Sequence, residues 1–270
     1  MLRFLGGQFE SWANYREMRR DWERVLSGLP PPLGPTGAPM VRWYASGNMP
    51  LRRRWGMIED SPTAEVANAE RQGLLPCKGA RAVDFSSGVG RNAIFLLKRG
   101  LNVRSIVYPD AGGLQIGFQK KWAERYSHAF PGCGSIDVVP GEFSQYEQGD
   151  DPFDLVVCVN SLMHASMSAG GGVIRSLQRK TVVGGLHIIT TSTIEDGYQR
   201  RHDVSDECFI TSGRSEDDEL QSLYPESEWE HFGSTPSKVY FSRGTLPFTR
   251  GLRRVQSFVV ARKKAAPPKM

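Results

Sequence analysis

No apolar run in this 270-residue chain approaches the ~20 consecutive residues that a bilayer-spanning helix needs. The four cysteines, Cys77, Cys133, Cys158 and Cys208, contain no Cys-x-x-Cys pair. That excludes a zinc knuckle or a disulfide framework as an expectation, and the thiols read as reduced, in an intracellular, reducing compartment. The five histidines show no ligand spacing with Cys, Asp or Glu, so no metal site is assigned. A Gly-Lys-Ser/Thr phosphate loop and a Ser-His-Asp arrangement are both missing. What is present is 39% hydrophobic content, enough for one well-cored domain of roughly 200–250 residues plus an extension.

Two further absences concern charge. Residues 1–58 hold nine arginines and four acids but no lysine, and residues 250–270 hold seven bases and no acid. Because the whole chain is only +5, the body between them is acidic. Basic ends suit an acidic surface, whether RNA, anionic lipid or another protein subunit, and they suit plain solubility equally well.

The first 29 residues place Phe9, Trp12, Tyr15, Met18, Trp22, Leu26 and Leu29 at steps of three or four, the stripe of an amphipathic helix. Met1-Leu2-Arg3-Phe4-Leu5-Gly6 would suit the start of a mitochondrial presequence, whereas Glu10, Glu17, Asp21 and Glu23 argue against one. Without such an address the expected compartment is the cytoplasm. The proline-rich stretch 29–39 is neither helix nor central strand, since proline lacks the N–H and fixes φ. Residues 41–57 mix arginine with Trp43, Tyr44 and Trp55, as arms that lie across a partner or fold back do. The expected organisation is therefore an Arg/Trp/Pro-rich extension over 1–57, a domain over 58–264 and a tail over 265–270.

From about residue 58 strands and helices alternate. Helices are expected at 64–75, 91–99, 114–130 and 173–182, and strands at 80–85, 102–108, 136–139, 153–159 and 186–191. Such alternation implies a parallel sheet covered on both faces. A short helix at 219–223 and strands at 228–232, 239–242 and 256–261 then suggest a closing antiparallel hairpin.

One junction stands out: Val83-Asp84-Phe85-Ser86-Ser87-Gly88-Val89-Gly90-Arg91-Asn92, at a strand-to-helix turn. Glycines there let backbone approach a ligand and the next helix offers free N–H groups, although a plain tight turn explains a lone G-x-G as well. In order with it come Arg99-Gly100-Leu101-Asn102-Val103, Phe153-Asp154-Leu155-Val156-Val157-Cys158-Val159-Asn160-Ser161-Leu162-Met163 and Val183-Gly184-Gly185-Leu186-His187. Together these resemble the class I S-adenosylmethionine-dependent methyltransferases, and within them the tellurite-resistance methyltransferases, over about residues 54–264.

The resemblance implies an α/β, doubly wound, Rossmann-like sheet of seven strands, mostly parallel with the last antiparallel. It also implies an S-adenosylmethionine crevice lined by Asp84, Ser86, Gly88, Gly90, Arg91, Asn92, Glu142, Phe143 and Asn160. Glu142 matches the acid set against the adenine amino group, or is a solvated loop acid. His164, just past the fourth strand, is a base near neutral pH or a structural histidine; no catalytic residue is assigned. Two positions depart from the family pattern. Ser86 replaces the first glycine, and Val107 stands where the family closes its second strand with an acid that accepts both ribose hydroxyls. Asp110, beyond Pro109, would replace that acid only in a rebuilt turn.

Two functions follow. One is a scaffold subunit or assembly factor on a methyltransferase fold, docked through its added ends. The other is an active methyltransferase for a small, soft nucleophile.

Overall fold

The structure, a computed structural model, describes residues 20, 24, 27, 40–43, 54–57, 62–107, 114–129, 131–141, 152–159, 161–162, 167–192, 220, 222–233, 236–240 and 253–265. The predicted N-terminal stripe from Phe9 to Leu26 lies outside them, as do residues 266–270.

Strands β1 (Met40–Trp43) and β2 (Arg54–Met57) form a two-stranded antiparallel sheet of their own. Helix α1 (Ala64–Arg71) is shorter than the expected 64–75. It stops because Gly73 turns left-handed at φ 68°, with its N–H on the Glu70 carbonyl. The large sheet then begins. Its parallel strands are β3 (Arg81–Phe85), β4 (Asn102–Val107), β5 (Ile136–Pro140), β6 (Phe153–Cys158) and β7 (Thr181–Ser192). Between them lie α2 (Arg91–Lys98), α3 (Leu114–Ala129) and α4 (Met167–Arg179). The late strands are β8 (Trp229–Gly233), β9 (Pro236–Tyr240) and β10 (Arg253–Lys263).

The sheet order is β5-β4-β3-β6-β7-β10-β8, with β9 also on β10. β10 is antiparallel to β7 and to both edge pieces. β8 pairs with residues 260–263 and β9 with 253–257, so the two occupy successive stretches of one edge position. This is the expected seven-position, mostly parallel sheet. Its outermost position is broken in two between Ser257 and Val260 of β10, and the β8 pairing itself shifts register between Val260 and Ala261.

Both faces are buried, which is why the strands read as apolar runs rather than alternations. On one face Ala82, Leu155, Val157 and Ile188 pack with Val66 and Ala69 of α1 and Ala93 and Leu96 of α2. On the other, Val83, Phe85, Val156, Cys158 and Ile189 meet Val173, Ile174 and Leu177 of α4, together with Tyr224 and Trp229. Among the described residues no helix is long and apolar enough to cross a membrane. Cys77, Cys133 and Cys158 are free thiols.

Two boundaries differ instructively from the sequence pattern. Helix α4 begins at Met167 rather than 173, running through Gly170, Gly171 and Gly172. Gly170 and Gly171 are buried, and glycine's poor helix propensity yields where it allows close packing. Residues 181–183, expected to end that helix or turn from it, already belong to β7. Between Thr181 and Leu186 the chain takes five residue steps while β6 takes two, from Phe153 to Leu155. Gly184, at φ 81°, allows that excursion, and its carbonyl accepts a 2.6 Å hydrogen bond from Arg262 Nη1.

His187 on β7 is fully buried in a closed relay. Thr181 spends its one hydroxyl proton on the Leu177 carbonyl at 2.7 Å, so His187 Nε2–H donates to Thr181 Oγ1 and Nδ1 accepts from the Tyr224 hydroxyl at 2.8 Å. The ring also packs 4.6 Å from that of Trp229. Burial first, and the nearby Lys263 charge second, lower its pKa to about 3. An unfolded histidine therefore takes a proton before the folded one does, and stability drops as pH falls from about 6.5 towards 3. Between pH 7 and pH 5 this group should cost about 2 kcal/mol. Denaturant unfolding at the two pH values should show that loss in the native chain. The His187→Gln variant, less stable at pH 7, should lack that part of the slope.

Candidate functional site

The carboxyl ends of β3, β4 and β6 converge on the loop from Ser86 to Gly90. Gly88 (φ 57°) and Gly90 (φ 86°) are left-handed, and so is Ser86 (φ 59°), alone among the described non-glycine residues. Serine thus adopts the backbone that the family's first glycine supplies, at a strain of roughly 1–2 kcal/mol. Among the described residues a Cβ on Gly88 would meet nothing within 4 Å, so they leave that side of the loop open. A Cβ on Gly90 would lie 2.6 Å from Gln119 Cδ, so that position is closed to any side chain.

The strained loop is held from behind by side chains that the sequence pattern did not single out. Ser105 Oγ lies 2.7 Å from Gln119 Oε1 and 2.6 Å from Ser87 Oγ, while Gln119 Nε2 lies 3.0 Å from Ser87 Oγ and 2.6 Å from the Gly88 carbonyl. Donor counting orders the ring. Ser105 gives its one proton to the amide oxygen, which has none, so Ser87 donates to Ser105 and the amide nitrogen donates to Ser87 and to Gly88. Ser105 and Gln119 are fully buried, and every polar atom of the ring is used. The Ser87 N–H adds a 2.9 Å bond to the Ile106 carbonyl. From the β6 side Ser161 Oγ donates to the Val159 carbonyl at 3.1 Å and lies 3.4 Å from that of Phe85. The available signals were slight: a serine inside the otherwise apolar end of β4, and a glutamine on α3 four residues after Gln115.

Asp84 is 2% exposed, and its Oδ2 accepts the Ala93 N–H at 2.9 Å in the first turn of α2. Burial raises its pKa to about 7, against the lowering effect of that hydrogen bond. Cys158, on the neighbouring strand, has its thiol pKa pushed well above the ordinary range by burial and then by the Asp84 charge. It is no nucleophile.

Val107 ends β4, wholly buried, with its carbonyl accepting the Gly141 N–H at 3.0 Å. The side chain at the position that resembles the ribose acceptor is thus an apolar one. Arg91 and Asn92 look outward to the chain that enters the domain. Arg91 Nη2 donates to the Pro62 carbonyl at 2.9 Å, and Asn92 Oδ1 accepts the Thr63 N–H at 2.8 Å. The structure therefore brings Asp84, Ser86, Gly88, Gly90, Arg91 and Asn92 together around one loop. Glu142, Phe143, Asn160, Asp110 and His164 lie outside the described residues. Among the described residues no group of three His, Cys, Asp or Glu side chains is placed to hold a metal.

No family model matches the sequence, and no curated protein is similar to it in sequence. Solved structures do match in three dimensions. TehB from Haemophilus influenzae aligns with a TM-score of 0.56 and 17% identity over 74% of this chain and 61% of TehB. A SAM-dependent methyltransferase from Methanosarcina mazei aligns at 0.53 and 15% identity, over 77% of this chain and all of the other. Magnesium protoporphyrin IX methyltransferase from Synechocystis, solved with bound S-adenosylhomocysteine, aligns at 0.51 and 14% identity over 74% and 80%. The sheet order, the glycine loop after β3 and these likenesses agree: the chain has the fold of the class I S-adenosylmethionine-dependent methyltransferases.

Proposed function

We propose that this protein is a non-catalytic scaffold subunit or assembly factor of a larger complex, built on a methyltransferase fold whose cofactor site is impaired. The observation that carries the reading is the buried Val107 at the ribose position. The residues fit one half of S-adenosylmethionine. Asp84, the left-handed loop and the open side of Gly88 suit close approach of the amino-acid end. To the other half Val107 offers nothing, because a valine side chain accepts no hydrogen bond from a ribose diol. Losing a charge-assisted acceptor costs ~1.5–3 kcal/mol, or roughly ten- to hundredfold in affinity. No catalytic step is derived through the cofactor.

Docking is assigned mainly to the N-terminal extension, with other protein subunits as partners and RNA as the alternative acidic surface. The basic C-terminal stretch contributes less than its charge suggests. Arg262 donates to the Gly184 and Leu74 carbonyls, Lys263 to those of Gln178 and Thr181, and Lys264 to that of Glu226. Three of its bases thus serve the domain's own backbone. The second reading, an active methyltransferase for a small soft nucleophile, is favoured by the loop. Its left-handed backbone is kept, at a cost in strain, by a complete ring of hydrogen bonds.

Direct titration with S-adenosylmethionine separates the two. The scaffold reading expects a dissociation constant ten- to hundredfold above the micromolar range, and Val107→Asp should recover much of that factor. A low-micromolar constant in the native chain would favour the enzyme. For docking, a chain truncated to begin at Arg54 should enter the complex that the intact protein co-purifies with far less efficiently. Equal incorporation would remove the extension from the account.

A further inference from the structure

The two residues that follow the glycine loop are turned towards the incoming chain, and this links two parts of the molecule that the sequence keeps apart. Arg91 and Asn92 form the first turn of α2 directly after Gly90, the left-handed N-cap. Their side chains grip the two sides of a single peptide group 29 residues upstream, Arg91 holding the Pro62 carbonyl and Asn92 the Thr63 amide. Asn92 is 6% exposed, so its bond is shielded from water. The next residue, Ala93, gives its N–H to Asp84. Three successive residues of α2 therefore tie together the end of β3, the glycine loop and the root from which the extension departs. On the loop's far side, the Gln119 ring fixes Ser87 and Gly88. Further along α1, Glu70 pairs with Arg99 at 3.1 Å, and just past the helix Arg262 Nη2 donates to the Leu74 carbonyl at 3.0 Å, so the far end of this entry helix is secured independently of the loop.

We propose that Arg91 and Asn92 are positioning residues that make the root of the extension, residues 62–67, and the glycine loop, residues 84–93, one cooperative unit that opens and closes together. Native proteins open locally in such units, and their boundaries follow shared hydrogen bonds and packing rather than chain order. A protein gripping the extension would then firm up the loop without touching it, and a ligand on the loop would firm up the root by the same factor, since coupling is reciprocal. The inference holds whether or not the crevice takes a cofactor.

Native-state hydrogen exchange on the full-length protein, read by peptide mass, tests it without any ligand. Arg91→Ala and Asn92→Ala should each speed exchange about tenfold at both segments, the size of one lost hydrogen bond, while residues 153–158 and 186–191 stay unchanged. Asn92→Asp keeps an oxygen where the Thr63 amide needs one and should exchange like the native chain. Gln119→Leu reaches the unit from the opposite side, loosening Gly88 with no contact to Pro62 or Thr63, and should speed exchange at 62–67 as well. If the alanine variants loosen 62–67 alone, or Gln119→Leu loosens the loop alone, the two segments open separately and the proposal is overturned. Should an alanine variant lose protection throughout, the Asn92→Asp and Gln119→Leu results decide the matter.

Discussion

A parallel sheet buried on both faces leaves its backbone open only at the ends of its strands, and this constraint organises the molecule. The strands from β3 to β7 give most of their side chains to one apolar layer or the other, so a ligand reaches their backbone only at the carboxyl rim. At that rim β3 must pass into α2 within a few residues. The sharp turn requires left-handed backbone at three positions, one of them a serine. The strain is tolerable because the neighbouring strand and helix hold the turn through Ser105 and Gln119. Loop shape is thus decided from behind, by groups that no ligand would touch.

The interior tolerates polar side chains only where each proton has a taker. The Ser87–Ser105–Gln119 ring and the Thr181–His187–Tyr224 relay obey the same count, each hydroxyl giving its one proton to an acceptor. They sit on opposite sides of the sheet and do different things. The first shapes the rim. The second fixes β7 to α4 and to the segment carrying Tyr224 and Trp229, which builds the late part of the sheet. Trp229 Nε1, buried with no hydrogen-bond partner among the described residues, stands outside that count.

Much of this was legible in the chain. Strand-helix alternation and the close succession of late strands foretold a mostly parallel sheet closed by antiparallel strands, and the Asp84 to Asn92 junction is the turn from β3 into α2 that it was read as. Failures have physical causes. The helix expected from residue 173 begins at Met167, because Gly170 and Gly171 are buried in its first turns. Gly184-Gly185 read as a turn, yet β-branched Thr181, Val182 and Val183 carried the strand back before it. Val107 was visible as a departure because a charge was replaced by a hydrocarbon. The direction of Arg91 and Asn92 was not, since nothing in a local motif reveals a partner 29 residues upstream. The basic end shows the same limit, because charge in a sequence does not reveal that Arg262, Lys263 and Lys264 meet carbonyls of their own domain.

The placement of β10 has a consequence for the order of assembly. This strand leaves the ribosome after β7, β8 and β9, yet it lies inside the sheet, between β7 and the broken edge of β8 and β9. Until residues 253–263 emerge, β7 presents an unpaired edge from Leu186 to Ser192, and β8 and β9 have no strand to join. The first five strands can settle during synthesis, whereas the last three must wait and then close together. A nascent chain paused before its final strand would therefore carry one sticky edge and two homeless strands, the state in which it is most exposed to mispairing and to chaperones.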